Sequence, residues 1–351
     1  MHKTTLSLAC SALCALTTLA RSQDEMGPPK PAPELKKLAP MIGSWSGGGV
    51  FNNPETGPDK WKATGTYRWT HDGFWVQEDF TIHFESLPVP MVFRSYLGWD
   101  GEKQRYVNVH AANDGHVGLD TMEIGADGAF VTLAMRDMQG TPFCERAVSK
   151  ISGDAMELAI DFLMPEGPSA LMVEGKFERV DAEAPDALQA GAFAAVDGKD
   201  EMARFGKSAG VYDIVGSMVP APGAPPMAIR GTDTDRMIFG GAVMHAHTLG
   251  GSDGMPGEYV SDAFYGWNAK NRCYDVVFVS NMGEVGQMEA RFSESGRQLV
   301  STSAGTMMGL PMVQRFVVEV AENGAFTKGV GHSIVGTMAP AETFTCTYAK
   351  K

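Results

Sequence analysis

The chain has 351 residues, with 29 Lys or Arg against 42 Asp or Glu, which gives a formal net charge of -13 at pH 7. Nucleic acid and anionic lipid surfaces repel such a chain, so we expect neither as a partner. Its 5 cysteines show none of the spacings of a cysteine metal site.

Residues 1–22 have the pattern of a signal peptide. Lys3 gives a positive start, an apolar stretch runs over 6–19, and small residues stand at Ala20 and Ser22. We therefore predict an exported protein, either periplasmic or secreted.

A lipid anchor is the alternative to cleavage and release. Cys10 or Cys14 would carry it, although neither has the usual aliphatic residue three places ahead. After the signal, 23–33 forms a Pro-rich lead-in. No later segment approaches the roughly 20 apolar residues of a membrane-spanning helix, so we do not expect an integral membrane protein.

Strand follows strand after a short predicted helix at 34–38. Segments such as 75–84, 91–99 and 105–111 are short, partly alternating and separated by Gly, Asp, Asn or Pro. This spacing is typical of all-β barrels or sandwiches.

The chain also contains an internal repeat. The segment 97–100 (LGWD) recurs as 265–268 (YGWN), 168 positions later (265 minus 97), and 43–45 (GSW) recurs as 210–212 (GVY). An ordered series of such matches indicates two copies of one folding unit.

The repeat defines the predicted domains. We expect the first over 34–180, a linker over 181–200 and the second over 201–351. Each domain is long enough to bury a core without disulfides or metal.

The start of the first domain resembles a known group of proteins. Residues 43–49 (GSWSGGG) are similar to the Gly-x-Trp-x-Gly-x-Gly start of calycin-type barrels, the superfamily of lipocalins, fatty-acid-binding proteins and nitrobindins. Together with the Gly-Trp-Asp hairpin at 98–100 and Asn-Asp-Gly at 113–115, each copy resembles the bacterial domain-of-unknown-function family numbered 1579. The second copy has Gly-Val-Tyr at 210–212, so it keeps the motif only in part.

This resemblance implies an all-β fold of two tandem antiparallel up-and-down β-barrels of calycin or lipocalin-like type, each preceded by a short helix. Haem binding of the nitrobindin kind needs an axial histidine near the end of the barrel, and the first copy has none at a matching position. We predict no haem and no other cofactor.

Alternation along strands selects candidates for the barrel interior. Trp45 is expected to close one end of the first barrel. Glu78 is either an inward acid or a residue near the barrel mouth, and His110 is either an interior polar group or a structural histidine bonded to a carbonyl. The predicted ligand-binding residues are Trp45, Glu78, Phe80, Tyr106, His110, Tyr274 and Phe278.

His245 and His247 are the best metal-like pair, because residues two apart on a strand project to the same side. Their first-copy counterparts, Gln77 and Asp79, lie on the polar face of a strand, so we expect the pair to face solvent or the other domain. We predict no metal site there.

Three cysteines remain after the signal peptide. Cys144 has no partner within its own repeat, whereas Cys273 and Cys346 could form one bridge if their strands are neighbours. Buried free thiols are the alternative.

The sequence contains no complete catalytic motif, so we do not expect an enzyme. Residues 250–254 match Gly-x-Ser-x-Gly, but Met255, Pro256 and Gly257 follow in place of the helix that a nucleophile elbow requires. We predict a binding protein that holds a small apolar or amphipathic ligand in one or both barrels. The alternative is a structural or interaction module with filled barrels, and the two barrels are candidates to pack on each other.

Overall fold

The computed structural model describes residues 29–351, apart from 54–55, 139–140, 166–169, 182–186, 193–197, 221–222, 253–256 and 308. The predicted signal peptide, residues 23–28 of the lead-in and parts of the linker lie outside the described residues.

Ten strands of the described chain form the first barrel. Each pairs with its neighbours in the sequence, and β1 also pairs with β10, so the antiparallel sheet closes. The strands are β1 Gly43–Asn53, β2 Gly57–Thr70, β3 Trp75–Phe84, β4 Met91–Asp100, β5 Arg105–Ala112, β6 Val117–Ile124, β7 Phe130–Met138, β8 Thr141–Ser152, β9 Ala155–Leu163 and β10 Ala170–Val180.

The second barrel repeats this topology, with β11 paired to β20. Its strands are β11 Gly210–Met218, β12 Met227–Ile238, β13 Val243–Ser252, β14 Tyr259–Asn268, β15 Cys273–Ser280, β16 Val285–Phe292, β17 Gln298–Met307, β18 Leu310–Val320, β19 Phe326–Val335 and β20 Ala341–Lys350. The predicted all-β fold of two antiparallel up-and-down barrels is confirmed.

Helices accompany the strands in short pieces. They are the 3-10 helices Pro33–Met41, His71–Gly73, Ala187–Gln189 and Phe239–Gly241, and the α-helix α1 Lys199–Gly206. No described helix is both long enough and apolar enough to cross a membrane. The chain divides into two compact units, one holding 31–114 and 119–194 and the other holding 115–118 and 195–351.

Glycines allow β1 to close the first barrel. A Cβ atom on Gly49 would lie 1.8 Å from the carbonyl oxygen of Glu174, on β10. A Cβ atom on Gly175, directly opposite Gly49, would lie 2.4 Å from the Trp61 ring. A side chain at Gly49 would therefore push β1 away from β10, and one at Gly175 would displace the Trp61 ring.

A helix covers one end of the first barrel. The 3-10 helix Pro33–Met41 buries Leu35, Leu38 and Met41 in the barrel core. Trp45 is fully buried beneath it, and its Nε1 donates to the carbonyl oxygen of Met41 at 2.8 Å. The Tyr106 hydroxyl donates to the Glu34 carbonyl oxygen at 2.7 Å, which ties β5 to the same helix.

The second barrel has the same arrangement with one aromatic exchanged. Tyr212 stands where the first barrel has Trp45, and its hydroxyl donates to the Ser208 carbonyl oxygen just after α1. The Tyr274 hydroxyl donates to the Glu201 carbonyl oxygen at 2.9 Å. Phe205 of α1 is buried against Tyr274, with ring centroids 4.8 Å apart.

The three cysteines of the described chain are free thiols, Cys144 exposed and the other two buried. Cys273 lies on β15 and Cys346 on β20, and these strands are not neighbours in the barrel. The condition for a bridge is therefore not met.

Trp45→Ala tests the closed end of the first barrel. Removing a fully buried indole and its hydrogen bond should lower the free energy of unfolding by roughly 3–5 kcal/mol. Chemical denaturation followed by fluorescence and circular dichroism measures the change. Met135→Ala, at a side chain 68% exposed, is the control and should change it by less than about 0.5 kcal/mol. Equal effects of the two substitutions would contradict this role for Trp45.

Candidate functional site

The first barrel places Glu78 and Phe80 on its inner wall. Val76 and Phe80 belong to the barrel core, and residues two apart on a strand share a face, so Glu78 points inward with them. Of the two interpretations of Glu78, the inward acid is the one found.

Polar side chains form a belt across the inner wall of the first barrel. Tyr67, Glu78, Ser95 and His110 lie directly opposite one another across four neighbouring strands. Asp120, Arg136 and Glu145 extend the series on the next three strands, where each shares the inward face of a core residue. The polar belt consists of Tyr67, Glu78, Ser95, His110, Asp120, Arg136 and Glu145.

One half of the polar belt is centred on Glu78. The Tyr67 hydroxyl donates to its Oε1 at 2.6 Å, and the Ser95 hydroxyl is also hydrogen-bonded to it. Burial raises the pKa of Glu78 to about 7, although both hydrogen bonds act to lower that pKa. The same burial, together with the charge of Glu78, raises the pKa of Tyr67 well above its ordinary value.

The other half of the polar belt is centred on Asp120. Arg136 Nη1 and Nη2 donate to its two carboxylate oxygens at 3.1 and 2.7 Å. His110 Nδ1 lies 3.3 Å from Asp120 Oδ2, and Glu145 Oε1 lies 3.7 Å from Arg136 Nη2. His110 therefore has a carboxylate beside it, where the structural interpretation had expected a carbonyl.

Burial and charge set the protonation of this half. Burial acts to lower the pKa of Arg136, but the hydrogen bonds and charge of Asp120 raise that pKa above its ordinary value. Burial also raises the pKa of Glu145, against the opposing charge of Arg136. Asp120 is only 7% exposed, whereas Arg136 and Glu145 are 21% and 22% exposed, so the polar belt reaches solvent at β7 and β8.

Inside the first barrel, two polar atoms outside the polar belt are buried without a hydrogen-bond partner among the described residues. Asn108 lies between Tyr106 and His110 on the inward face of β5, and its Oδ1 is buried. Trp61 Nε1, on β2, is the second. Buried polar atoms of this kind normally bind a partner, so both could bond a guest molecule.

The second barrel replaces most of the polar belt with apolar groups. In its register Asp235 lies opposite Ala246, Ala246 opposite Ala263, and Ala263 opposite Phe278. These are the positions of Tyr67, Glu78, Ser95 and His110 in the first barrel. Met288 stands where the repeat places Asp120, and it lies in the core of the second barrel.

The second barrel encloses a small cavity of about 20 Å³. It is bordered by Asp233, Asp235, Tyr265 and Ser301, together with apolar side chains. This is room for about one water molecule. Burial, and then the charge of Asp233, raise the pKa of Asp235 well above its ordinary value.

The predicted site residues therefore separate into groups. Glu78, Phe80 and His110 lie on the inner wall of the first barrel. Trp45, Tyr106 and Tyr274 bond the end-closing helices, and Phe278 fills the core of the second barrel. The sequence interpretation missed Asp120, Arg136 and Glu145, although inward acids and an inward arginine on successive strands were a usable signal.

His245 and His247 lie on the face of β13 opposite the core residue Ala246. His247 is partly exposed, but His245 is only 2% exposed, because it stacks on Phe264 and contacts Asp262. His245 Nε2 and His247 Nδ1 lie 2.6 and 2.9 Å from Asp262 Oδ1. The pair thus lies on the outward face, as expected, with His245 buried, His247 partly exposed and a carboxylate between their rings.

Residues 30–179, which span the first barrel, match the model of a family described as protein of unknown function (DUF1579). No curated protein matches the chain.

Solved structures give distant matches. Rv2717c from M. tuberculosis has 15% identity and a TM-score of 0.34, with 43% of this chain and 99% of that chain covered. The S-type phycobiliprotein lyase CPES from Guillardia theta has 11% identity and a TM-score of 0.30, with 42% of this chain and 93% of that chain covered. A Nostoc punctiforme protein of unknown function from the DUF3598 family has 9% identity and a TM-score of 0.27, with 91% of this chain and 100% of that chain covered.

Glu78→Gln tests the buried acid. The pKa of Glu78 in the folded chain, about 7, lies above its ordinary value of 4.5, so between these pH values only the folded chain holds the proton. The free energy of unfolding should therefore fall as pH rises from about 4.5 to 7 and stay lowered above pH 7. In Glu78→Gln, the free energy of unfolding should fall by roughly 3 kcal/mol less over this pH range, because glutamine does not ionise.

Denaturation at several pH values measures the difference between Glu78→Gln and the unchanged protein. Glu123→Gln, at an exposed residue of β6, is the matched control and should follow the unchanged protein. A Glu78→Gln profile parallel to that of the unchanged protein would show that Glu78 ionises freely in the fold.

Proposed function

We propose that the protein is an exported binding protein whose first barrel holds a small amphipathic ligand. The observation that carries this proposal is the polar belt on the inner wall of the first barrel. A closed barrel gains most from an apolar interior, because each buried charge costs free energy unless it is paired. The second barrel keeps the same fold with alanine, phenylalanine and methionine at most of the corresponding positions, so the fold does not need the belt.

The surroundings of the polar belt suggest the chemistry of the ligand. Phe143, Phe162 and Met172 form an apolar cluster beside it. An apolar chain or ring of the ligand would pack on this cluster, and its polar group would reach the belt. Asn108 Oδ1 accepts and Trp61 Nε1 donates, so a hydroxyl or amide group suits the interior better than a second charge.

The filled-barrel alternative is favoured for the second barrel. Phe278 and Met288 occupy the positions of His110 and Asp120, and the cavity beside Asp233 and Asp235 has room for about one water molecule. We propose that the second barrel is a diverged, calycin-like copy of the first and serves as a structural or interaction module.

The remaining expectations are part of the same proposal. The pattern at 1–22 supports export, and the lack of a complete catalytic motif in the sequence supports a non-catalytic role. Neither haem nor another cofactor is needed for the proposed binding.

A fluorescent fatty amide, 11-(dansylamino)undecanamide, tests the proposal on the full chain. The unchanged protein should bind one molecule with a rise in dansyl emission. His110→Phe, which introduces the residue of the second barrel, should weaken binding roughly tenfold or more by filling the belt. His83→Phe, the same exchange at an exposed residue of β3, is the matched control and should bind normally.

Asn108→Val is the substitute test if His110→Phe does not fold. Val276 occupies the position of Asn108 in the second barrel, so valine is compatible with the fold there. It should also weaken binding. No binding by the unchanged protein across dansylated acid, alcohol and amide probes would contradict the proposal. So would binding that folded His110→Phe and Asn108→Val leave intact.

A further inference from the structure

We propose that His245, His247 and Asp262 form a zinc-binding site on the outer wall of the second barrel. The site is separate from the ligand proposed for the first barrel and does not depend on it.

Strand geometry brings the three side chains together. His245 and His247 are two apart on β13 and share a face, and Asp262 of β14 lies directly opposite His247. One ligand atom of each residue lies within 4.8 Å of the other two. The ligand set therefore comes from two hydrogen-bonded strands, which hold it more firmly than a loop would.

The donor atoms suit a zinc ion that keeps an open coordination position. Two imidazoles and one carboxylate supply three protein ligands, and water takes the fourth position in sites of this kind. The side chains of Asp262 and His245 are 8% and 3% exposed, whereas the His247 side chain is 38% exposed. Two ligands of the site are therefore buried, and the third gives a metal ion access from solvent.

The distances indicate a small rearrangement on binding. Two ligands of a tetrahedral zinc ion, each about 2.0–2.1 Å from the metal, are roughly 3.3 Å apart. The two nitrogens lie 2.6 and 2.9 Å from Asp262 Oδ1. Zinc would move Asp262 Oδ1 about 0.7 Å away from His245 Nε2 and about 0.4 Å away from His247 Nδ1. The exposed His247 side chain can provide the second change, and a small rotation of the Asp262 carboxyl group would provide the first.

Arg236 opposes the metal in the present arrangement. Its Nε donates to His245 Nδ1 at 3.3 Å, which places the proton of a neutral His245 on Nε2, toward Asp262. An imidazole that binds zinc through Nε2 carries its proton on Nδ1 instead. Arg236 is exposed, so its side chain can turn away, and its removal should tighten zinc binding.

The first barrel provides an internal comparison. Asp79 lies opposite Arg94 there, as His247 lies opposite Asp262, and Gln77 stands in the place of His245. Arg94 Nε and Nη2 donate to Asp79 at 2.6 and 2.9 Å. The first barrel thus pairs its carboxylate with a permanent cation, whereas the second presents imidazoles that are neutral unless protonated.

Calorimetric titration of the full chain with zinc chloride, after removal of metal by a chelator, tests the site. One zinc ion should bind per chain, and Co²⁺ in its place should give the visible absorption of tetrahedral cobalt. His247→Gln and Asp262→Asn should each weaken binding roughly tenfold or more. Arg236→Gln should tighten it severalfold, and His332→Gln, on β19, is the matched control and should leave it unchanged.

Three outcomes would overturn the proposal. The first is no zinc binding, which would leave His245, His247 and Asp262 as a hydrogen-bonded cluster that holds protons only. The second is binding that persists in both His247→Gln and Asp262→Asn. The third is binding lost in Cys273→Ser, because Cys273, Asp275 and Glu289 form the other donor cluster of the described chain. Thermal unfolding of the metal-free variants checks that each one folds.

Discussion

Closure of each barrel is the constraint on which the rest of the structure depends. Pairing of β1 with β10, and of β11 with β20, leaves no free edge and turns one face of every strand inward. Glycines at the seam make the close approach possible, and a helix tied by Trp45 or Tyr212 covers one end. Once a barrel is closed, its inward side chains determine whether the interior is a packed core or a binding site.

The two barrels differ in their inward side chains. The first arranges carboxylates, an arginine and a histidine around its inner wall, at a cost in desolvation that the pairing of Asp120 with Arg136 partly offsets. The second has apolar side chains at most of the same positions, with Phe278 and Met288 in its core, although it keeps the buried acid Asp235 at the position of Tyr67. A duplicated fold can keep one copy as a scaffold while the other retains a polar interior, and this division is the basis of the function we propose.

The sequence predicted the architecture well, because glycine, tryptophan and turn residues repeat in order and strands alternate visibly. Alternation also placed Glu78 and His110 on the inward faces of their strands. It did not pair His110 with Asp120 or Asp120 with Arg136, because alternation gives the face of a residue but not the register between neighbouring strands. For the same reason His245 and His247 were recognised as a pair, but Asp262, across the strand, was not. Tyr106 and Tyr274 were assigned to a pocket, yet their hydroxyls bond the end-closing helices.

The central claim is that the first barrel takes up an amphipathic molecule and the second does not. Methyl NMR of the protein labelled with [¹³C-methyl]methionine, titrated with decanoic acid amide, tests it directly, because buried methionines report on both interiors. We expect saturable shifts at Met122, Met156 and Met172 of the first barrel, with Met244 and Met288 of the second unchanged. Shifts confined to the second barrel, or no shifts in either, would contradict it.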